Sequence, residues 1–251
     1  MTFPEYTINC PEGVYQLEAE VTKEQTDICG RMRIGELARQ MQVLTERHFD
    51  QNAGLSVDEL TAQGKSWIIA WTDIQIHRLP RDGEKVQMRI WPGKNKAMMY
   101  SRKYAFYTMT GEPLMATASL FLLMDQNTRA VAEPPEQLNV LQPVEIAGEP
   151  KHPKMRMPFP AEYKNKVTRK VAPEEIDYNG HLNNSHYLDW AEDLVDDSYM
   201  ETHEPKEIWV QYTKELREGQ EALLQFAWEE DTMYLRGSDG EKESFLLKVT
   251  Y

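Results

Sequence analysis

The clearest helical periodicity lies early in the chain, where Ile34, Leu37, Ala38, Met41, Leu44 and His48 recur at three- and four-residue steps. Such spacing puts one apolar stripe on a helix. Its four large aliphatic side chains offer on the order of 6–12 kcal/mol if covered, at ~1.5–3 kcal/mol for each fully buried. The stripe therefore calls for a flat apolar cover. Residues 14–22, just upstream, alternate instead, with Tyr15, Leu17, Ala19 and Val21 on one face of a half-buried strand. Downstream come β-rich runs at 66–78, 85–91, 99–108 and 114–124, split by turn signals at Asp82-Gly83, Pro92-Gly93 and Thr110-Gly111-Glu112. One strand, one long helix and several antiparallel strands predict an α+β unit with a sheet wrapped around a helix. Residues 132–160 break the pattern with seven prolines and little periodicity, which predicts a linker.

Beyond that segment the pattern returns. A shift of 150 residues sets Asp177 on Asp27, Gly180 on Gly30, Tyr187 on Leu37, Ala191 on Met41 and Leu194 on Leu44. Farther on, Val210–Gly219 matches Ile74–Gly83 at a shift of 136, and Glu243–Tyr251 resembles Met115–Met124. Two copies of one unit follow, at 1–131 and 161–251 around the linker, the second with shorter connections. Two such sheets can pair edge to edge, each covering strands that would otherwise lie open.

The second helix is entered through an unusually polar stretch, D-Y-N-G-H-L-N-N-S-H-Y-L-D-W at 177–190. Asn183 or Asn184 can accept from the free N–H groups of a helix predicted over 184–198. The duplication is an internal control, because a polar residue present in one copy only is not demanded by the fold. Asp and Gly occur in both copies and suit an Asx turn. Asn179 faces Cys29, His181 faces Arg31 and Glu215 faces Leu79, so the second copy alone carries the Asn, His and Glu.

Composition narrows the function classes. With 41 acidic and 28 basic residues the net charge is −13, which argues against sequence-independent binding to nucleic acid or an anionic membrane. Cys10 and Cys29 have no metal-ligand spacing and are too few for a disulfide framework. With no apolar run near the ~20 residues of a membrane span and no basic-then-apolar leader, a soluble cytoplasmic protein is expected. D-x-N-x-H lacks the glycine and terminal glutamate of a calcium loop, since Leu182 and Leu188 stand there, and His181 and His186 are not four apart. No metal or cofactor is expected.

The run Asp177-x-Asn179-x-His181-Leu182-Asn183-Asn184-x-x-Tyr187, with a glutamate some thirty residues later, resembles the acyl-ACP thioesterases of bacteria and plant plastids. The likeness covers nearly the whole chain and implies two tandem hotdog domains. It implies hydrolysis of fatty acyl-ACP, with acyl carrier protein as partner and Asp177, Asn179, His181 and Glu215 as the catalytic set. It also implies an acyl chain threaded between the first helix and its sheet. Asn184, Met32, Ile34, Met41, Trp67 and Ile69 are the candidate substrate contacts. Leu216 stands where some family members are assigned a cysteine, so a Cys-His-Asn nucleophile is not available there.

The chemistry of the residues agrees with a carboxylate route. A thiolate of pKa ~8.5 needs little acid help to leave. What a thioester hydrolase needs is a base or carboxylate nucleophile, which Glu215 can be, and donors for the oxyanion, which a helix start can supply. The acidic carrier protein would need a local basic patch. Lys164, Lys166, Arg169 and Lys170 lie just upstream of the polar loop, and Lys94, Lys96, Arg102 and Lys103 are a second candidate. A homodimer is compatible with the chain. The other readings are a hotdog hydratase or dehydratase and a non-catalytic acyl-binding protein, the last favoured only if Glu215 points away from His181.

Overall fold

A computed structural model describes residues 3–251. The first copy runs β1 (Tyr15–Glu20), α1 (Ile34–His48), α2 (Val57–Ala62), β2 (Lys65–Ile76), β3 (Lys85–Pro92), β4 (Tyr100–Thr108) and β5 (Pro113–Asp125). The second runs β6 (Asn165–Lys170), α3 (Asn184–Glu192), α4 (Asp197–Met200), β7 (Glu207–Tyr212), β8 (Glu221–Glu229), β9 (Thr232–Ser238) and β10 (Glu243–Thr250). All ten strands form one sheet, ordered β1-β3-β4-β5-β2-β7-β10-β9-β8-β6. This is an α+β hotdog architecture, with antiparallel pairing throughout and a helix laid against each half.

The two halves meet where β2 pairs antiparallel with β7. Asp73 lies opposite Trp209, and these two are counterparts at the shift of 136, so a local two-fold axis passes through that pair. The expected edge-to-edge join removes two open edges and leaves only β1 and β6 as sheet ends.

Leu37, Met41 and Leu44 of α1 and Leu188, Trp190 and Ala191 of α3 share one continuous core with the inner face of the sheet. The helices also touch one another, with Gly35 at the crossing, where an added Cβ would overlap the Asp189 carboxylate. Glu192 reaches across and accepts from the Ile34 N–H (3.2 Å) and from Arg33 Nε (2.8 Å), so a carboxylate of the second copy caps the first copy's helix.

The second helix is shorter than its apolar pattern suggested. It stops at Glu192 rather than 198, and Leu194 and Val195 are held by turn bonds to Ala191 O and Glu192 O. The proline-rich segment does more than connect. Val144 donates to Pro92 O (2.9 Å), and Val144 and Ile146 pack with Trp91 and Tyr107 on the outer sheet face. Farther along, Lys154 O accepts from Trp209 Nε1 (2.8 Å). With a helix on one face and this segment on the other, β3 and β4 are buried almost continuously. Among the described residues, no helix is long and apolar enough to cross a membrane.

Candidate active site

The polar loop is a tight Asx turn fixed at both ends. Asp177 Oδ1 accepts from the Asn179 N–H (2.8 Å) and the His181 N–H (3.3 Å), and the Asp177 N–H donates to His181 O (2.8 Å). Gly180 takes φ +77°, a left-handed conformation that a glycine adopts without strain. The first copy repeats the turn: Asp27 Oδ1 accepts from the Cys29 N–H (2.8 Å) and the Arg31 N–H (2.9 Å), and Gly30 has φ +69°. Asp177 and Gly180 are therefore scaffold in both copies.

Past the turn, Asn183 is the N-cap of α3. Its Oδ1 accepts from the Ser185 N–H (2.9 Å), and its amide also makes a reciprocal pair with Gln42 of α1 at 3.1 and 3.2 Å. The helix start is thereby pinned to the first copy. Behind it, the Tyr212 hydroxyl donates to Asn184 O (3.2 Å). Burial pushes the Tyr187 and Tyr212 phenols well above their ordinary range, so both act as donors and not as bases.

The two copies differ at the next position. In the first, Arg31 turns back to pair with Asp27 (2.8 Å). In the second, His181 turns outward, and its Nε2 lies 3.2 Å from Glu215 Oε2. Glu215 follows β7, and its neighbour Leu216 is fully buried with its carbonyl accepting from the Leu182 N–H (2.8 Å). That bond fixes the strand end against the loop.

Loop, helix start and first copy together enclose a cavity of about 260 Å³. Asp177, Tyr178 and Asn179 line one part of it, with Asn183 and Asn184 beside them. The remainder is formed by α1 from its second turn onward (Ala38, Met41, Thr45), by Phe49 just past its end and by sheet residues such as Trp67, Ile69 and Phe121. Phe49 and Trp67 stack with their ring planes 5° apart. An apolar slot lined at its polar end by Asn179, Asn183 and Asn184 suits an acyl chain with a polar carbonyl at its head, while His181 and Glu215 are not among its lining residues.

Sequence comparison decides the family. The acyl-ACP thioesterase N-terminal domain model matches residues 12–140, and the C-terminal domain model matches 160–243. The chain belongs to the acyl-ACP thioesterase family. A curated member, a chloroplastic dodecanoyl-[acyl-carrier-protein] hydrolase of Cinnamomum camphora, is 26% identical over 169 residues. That alignment covers 62% of this chain but only 43% of the relative, so the chain matches less than half of the relative's length. Two solved structures share the fold. One is an acyl-ACP thioesterase from Bacteroides thetaiotaomicron, with TM-score 0.84, 17% identity, and coverage of 95% of this chain and 97% of that one. The other is a 12:0-ACP thioesterase from Umbellularia californica, with TM-score 0.84, 18% identity, and coverage of 97% and 98%.

Of the site residues that the resemblance to the acyl-ACP thioesterases implies, the structure brings some together and leaves others apart. His181 and Glu215 meet, Asn179 and Asn184 line the cavity, and so do Met41, Trp67 and Ile69. Met32 and Ile34 do not. Both are core residues near the first helix's entry, upstream of the turns that the cavity touches, because Met32 is tied by its N–H to Pro80 O (2.7 Å) and Ile34 begins α1 at Glu192.

The basic clusters divide as well. Lys164, just before the edge strand β6, and Lys166 and Lys170 on it are exposed, but Arg169 points to the opposite face. There it lies over the Trp190 ring and pairs with Asp193 (2.7 Å), so it is part of the fold. In the other cluster Arg102 and Lys103 are buried, the first over Phe49 and the second paired with Glu149, which leaves Lys94 and Lys96 as its exposed members.

Two residues near the site were not foreseen. Tyr178, exposed at the cavity mouth, sits in the turn as Ile28 does in the first copy, and its exposure in a polar loop was the available signal. Arg129, at 2.8 Å from Glu215 Oε2, had none, since nothing in the sequence links residue 129 to residue 215.

Proposed function

We propose that the chain hydrolyses the thioester of fatty acyl-ACP, releasing a free fatty acid and the carrier protein. The reading is supported by the family membership and, above all, by the His181–Glu215 pair set behind a loop that faces an apolar cavity. The acyl chain lies in the cavity between α1 and the sheet of the first copy. The thioester carbonyl sits at the start of α3, where the side-chain amide of Asn179 and first-turn N–H groups meet the developing oxyanion.

Glu215, with His181 against it, takes the proton of the attacking water, or its carboxylate attacks directly to form a mixed anhydride that water then hydrolyses, returning the Glu215 carboxylate. In either route the C–S bond breaks and the thiolate leaves with little need for an acid. Asp177 holds the loop that presents Asn179 and His181. The acidic partner docks on the exposed Lys164, Lys166 and Lys170 at β6 and its entry rather than on Arg169.

Release of thiol from acyl-ACPs of graded length, read with a thiol reagent, tests the reading. The expected result is one free fatty acid per thiol, with the acyl double-bond state unchanged. A change at the double bond without thiol would support a hydratase or dehydratase. Saturable binding without turnover would support an acyl-binding protein, although Glu215 faces His181, the opposite of the orientation that reading required.

A further inference from the structure

The Glu215 carboxylate is held from two sides, and one of them belongs to the other copy. Arg129 Nη2 forms an ion pair with Glu215 Oε2 at 2.8 Å, the same oxygen that lies 3.2 Å from His181 Nε2. Among the described residues these two are the cationic or imidazole side chains within ion-pair distance of Glu215.

The turn that carries Arg129 is heavily fixed for an exposed segment. Asp125 Oδ1 accepts from the Asn127 N–H (3.0 Å), the Thr128 N–H (2.8 Å) and the Thr128 hydroxyl (3.0 Å). The Arg129 N–H donates to Asp125 O (2.9 Å), and the Asp125 N–H donates to Ala130 O (2.9 Å). Within this frame Arg129 has φ +60°. The left-handed region costs a non-glycine residue roughly 1–2 kcal/mol. A half-exposed ion pair contributes only about 0–1 kcal/mol to stability, so the pair does not offset that strain. A strained arginine whose guanidinium ends on the one carboxylate that faces His181 is better explained by what it does to that carboxylate.

We propose that Arg129 is a positioning residue, which holds Glu215 Oε2 toward His181 Nε2 so that the carboxylate cannot rotate away during turnover. The proposal rests on the thioesterase reading above. It gives the first copy, which has Arg31 and Leu79 where the second has His181 and Glu215, a direct part in the centre of the second. The route is topological: β2 and β7 pair, β5 lies beside β2, and the turn after β5 therefore arrives at the residues that follow β7.

Arg129→Ala and Arg129→Lys can be compared on acyl-ACP and on an acyl N-acetylcysteamine thioester, which has neither protein nor phosphate. Arg129→Ala should lower kcat on both substrates by roughly 10- to 100-fold, the scale of misplacing a reacting group by about 1 Å. KM should stay within about twofold, the pattern of an interaction made in the transition state. Lysine should restore part of the loss. In a Glu215→Gln background, removing Arg129 should have no further effect, because its action runs through that carboxylate.

A raised KM for acyl-ACP alone, with kcat intact, would make Arg129 a docking residue and overturn the proposal. Unchanged kinetics with a lower Tm would reduce it to a surface ion pair and also overturn it. The His181 ring resonances in labelled protein give a readout free of turnover. They should move in Arg129→Ala at constant pH, and unchanged resonances would count against the proposal. If the unmodified enzyme releases no thiol, the thioesterase reading fails by itself, and the resonances still decide whether Arg129 orders the pair.

Discussion

The turns at Asp27 and Asp177 are nearly superimposable in their hydrogen bonds, yet only the second borders the apolar cavity, the first facing a polar recess beside Arg33 and Glu192. Each has a carboxylate accepting two backbone N–H groups and a glycine in the left-handed region. What differs is the side chain two positions after each aspartate and the one four positions after. In the first turn Arg31 closes the loop on itself, buried against Asp27, and Cys29 offers no amide. Asn179 and His181 open the second, one toward the cavity and one toward Glu215. Duplication thus separates what the fold requires from what the site adds. Asp177, which would be counted as catalytic from its place in the motif, makes the same bonds as Asp27, whose copy has Cys29, Arg31 and Leu79 in place of Asn179, His181 and Glu215.

The sharpest way to break this comparison is to substitute counterpart side chains. Asn179→Ala should lower kcat about 10²- to 10³-fold, as loss of an oxyanion donor does, while Cys29→Ala should leave it unaltered. Loss of activity in Cys29→Ala, measured by thiol release, would return a role to the first turn.

The next effect concerns the stretch of α1 that outruns α3. His48 is fully buried there, and burial, aided by the nearby Arg102 guanidinium, lowers its pKa to about 4. The unfolded chain, with an ordinary histidine near 6.5, binds the proton more readily than the folded one. Stability is therefore complete above about pH 6.5 and is lost as pH falls toward 4, by on the order of 3 kcal/mol from this group. Urea midpoints at neutral and acid pH should show the slope in the parent and a weaker one in His48→Phe. Equal slopes would remove His48 from the account.

The smallest effect should be shared by both turns. Asp27→Ala and Asp177→Ala should each cost about 1–3 kcal/mol by stranding two N–H groups. Asp27→Ala should be the costlier, since it also strands the buried Arg31. Only Asp177→Ala should also lower kcat, because its loop carries Asn179 and His181. A kinetic loss from Asp177→Asn as large as that from Glu215→Gln would give the Asp177 charge a catalytic role of its own.

The first helix was legible because its stripe runs unbroken for fifteen residues, Ile34 to His48, and the repeat was legible because Asp and Gly recur at fixed spacing. The same reading overshot α3, because Leu194 and Val195 are apolar and well packed although they lie beyond the helix. Strands β8 and β9 were implied by the repeat but not read from their own alternation. Within the site, apolar character announced that Met32 and Ile34 would be buried but not whether a void or another side chain would meet them. Charge misled at Arg102 and Arg169, where the sheet directs a basic side chain against an aromatic ring. The pairing of Arg129 with Glu215 depends on which strands join the two halves, and no local pattern carries that information.

The central claim is that thioester hydrolysis runs through the Glu215–His181 pair of the second copy. Its most direct test is the kcat of Glu215→Gln and of His181→Ala on acyl-ACP, with folding checked by circular dichroism. General acid–base groups contribute about 10²- to 10⁴-fold, so each variant should lose at least about a hundredfold while remaining folded. Near-parental turnover in either variant would contradict the account.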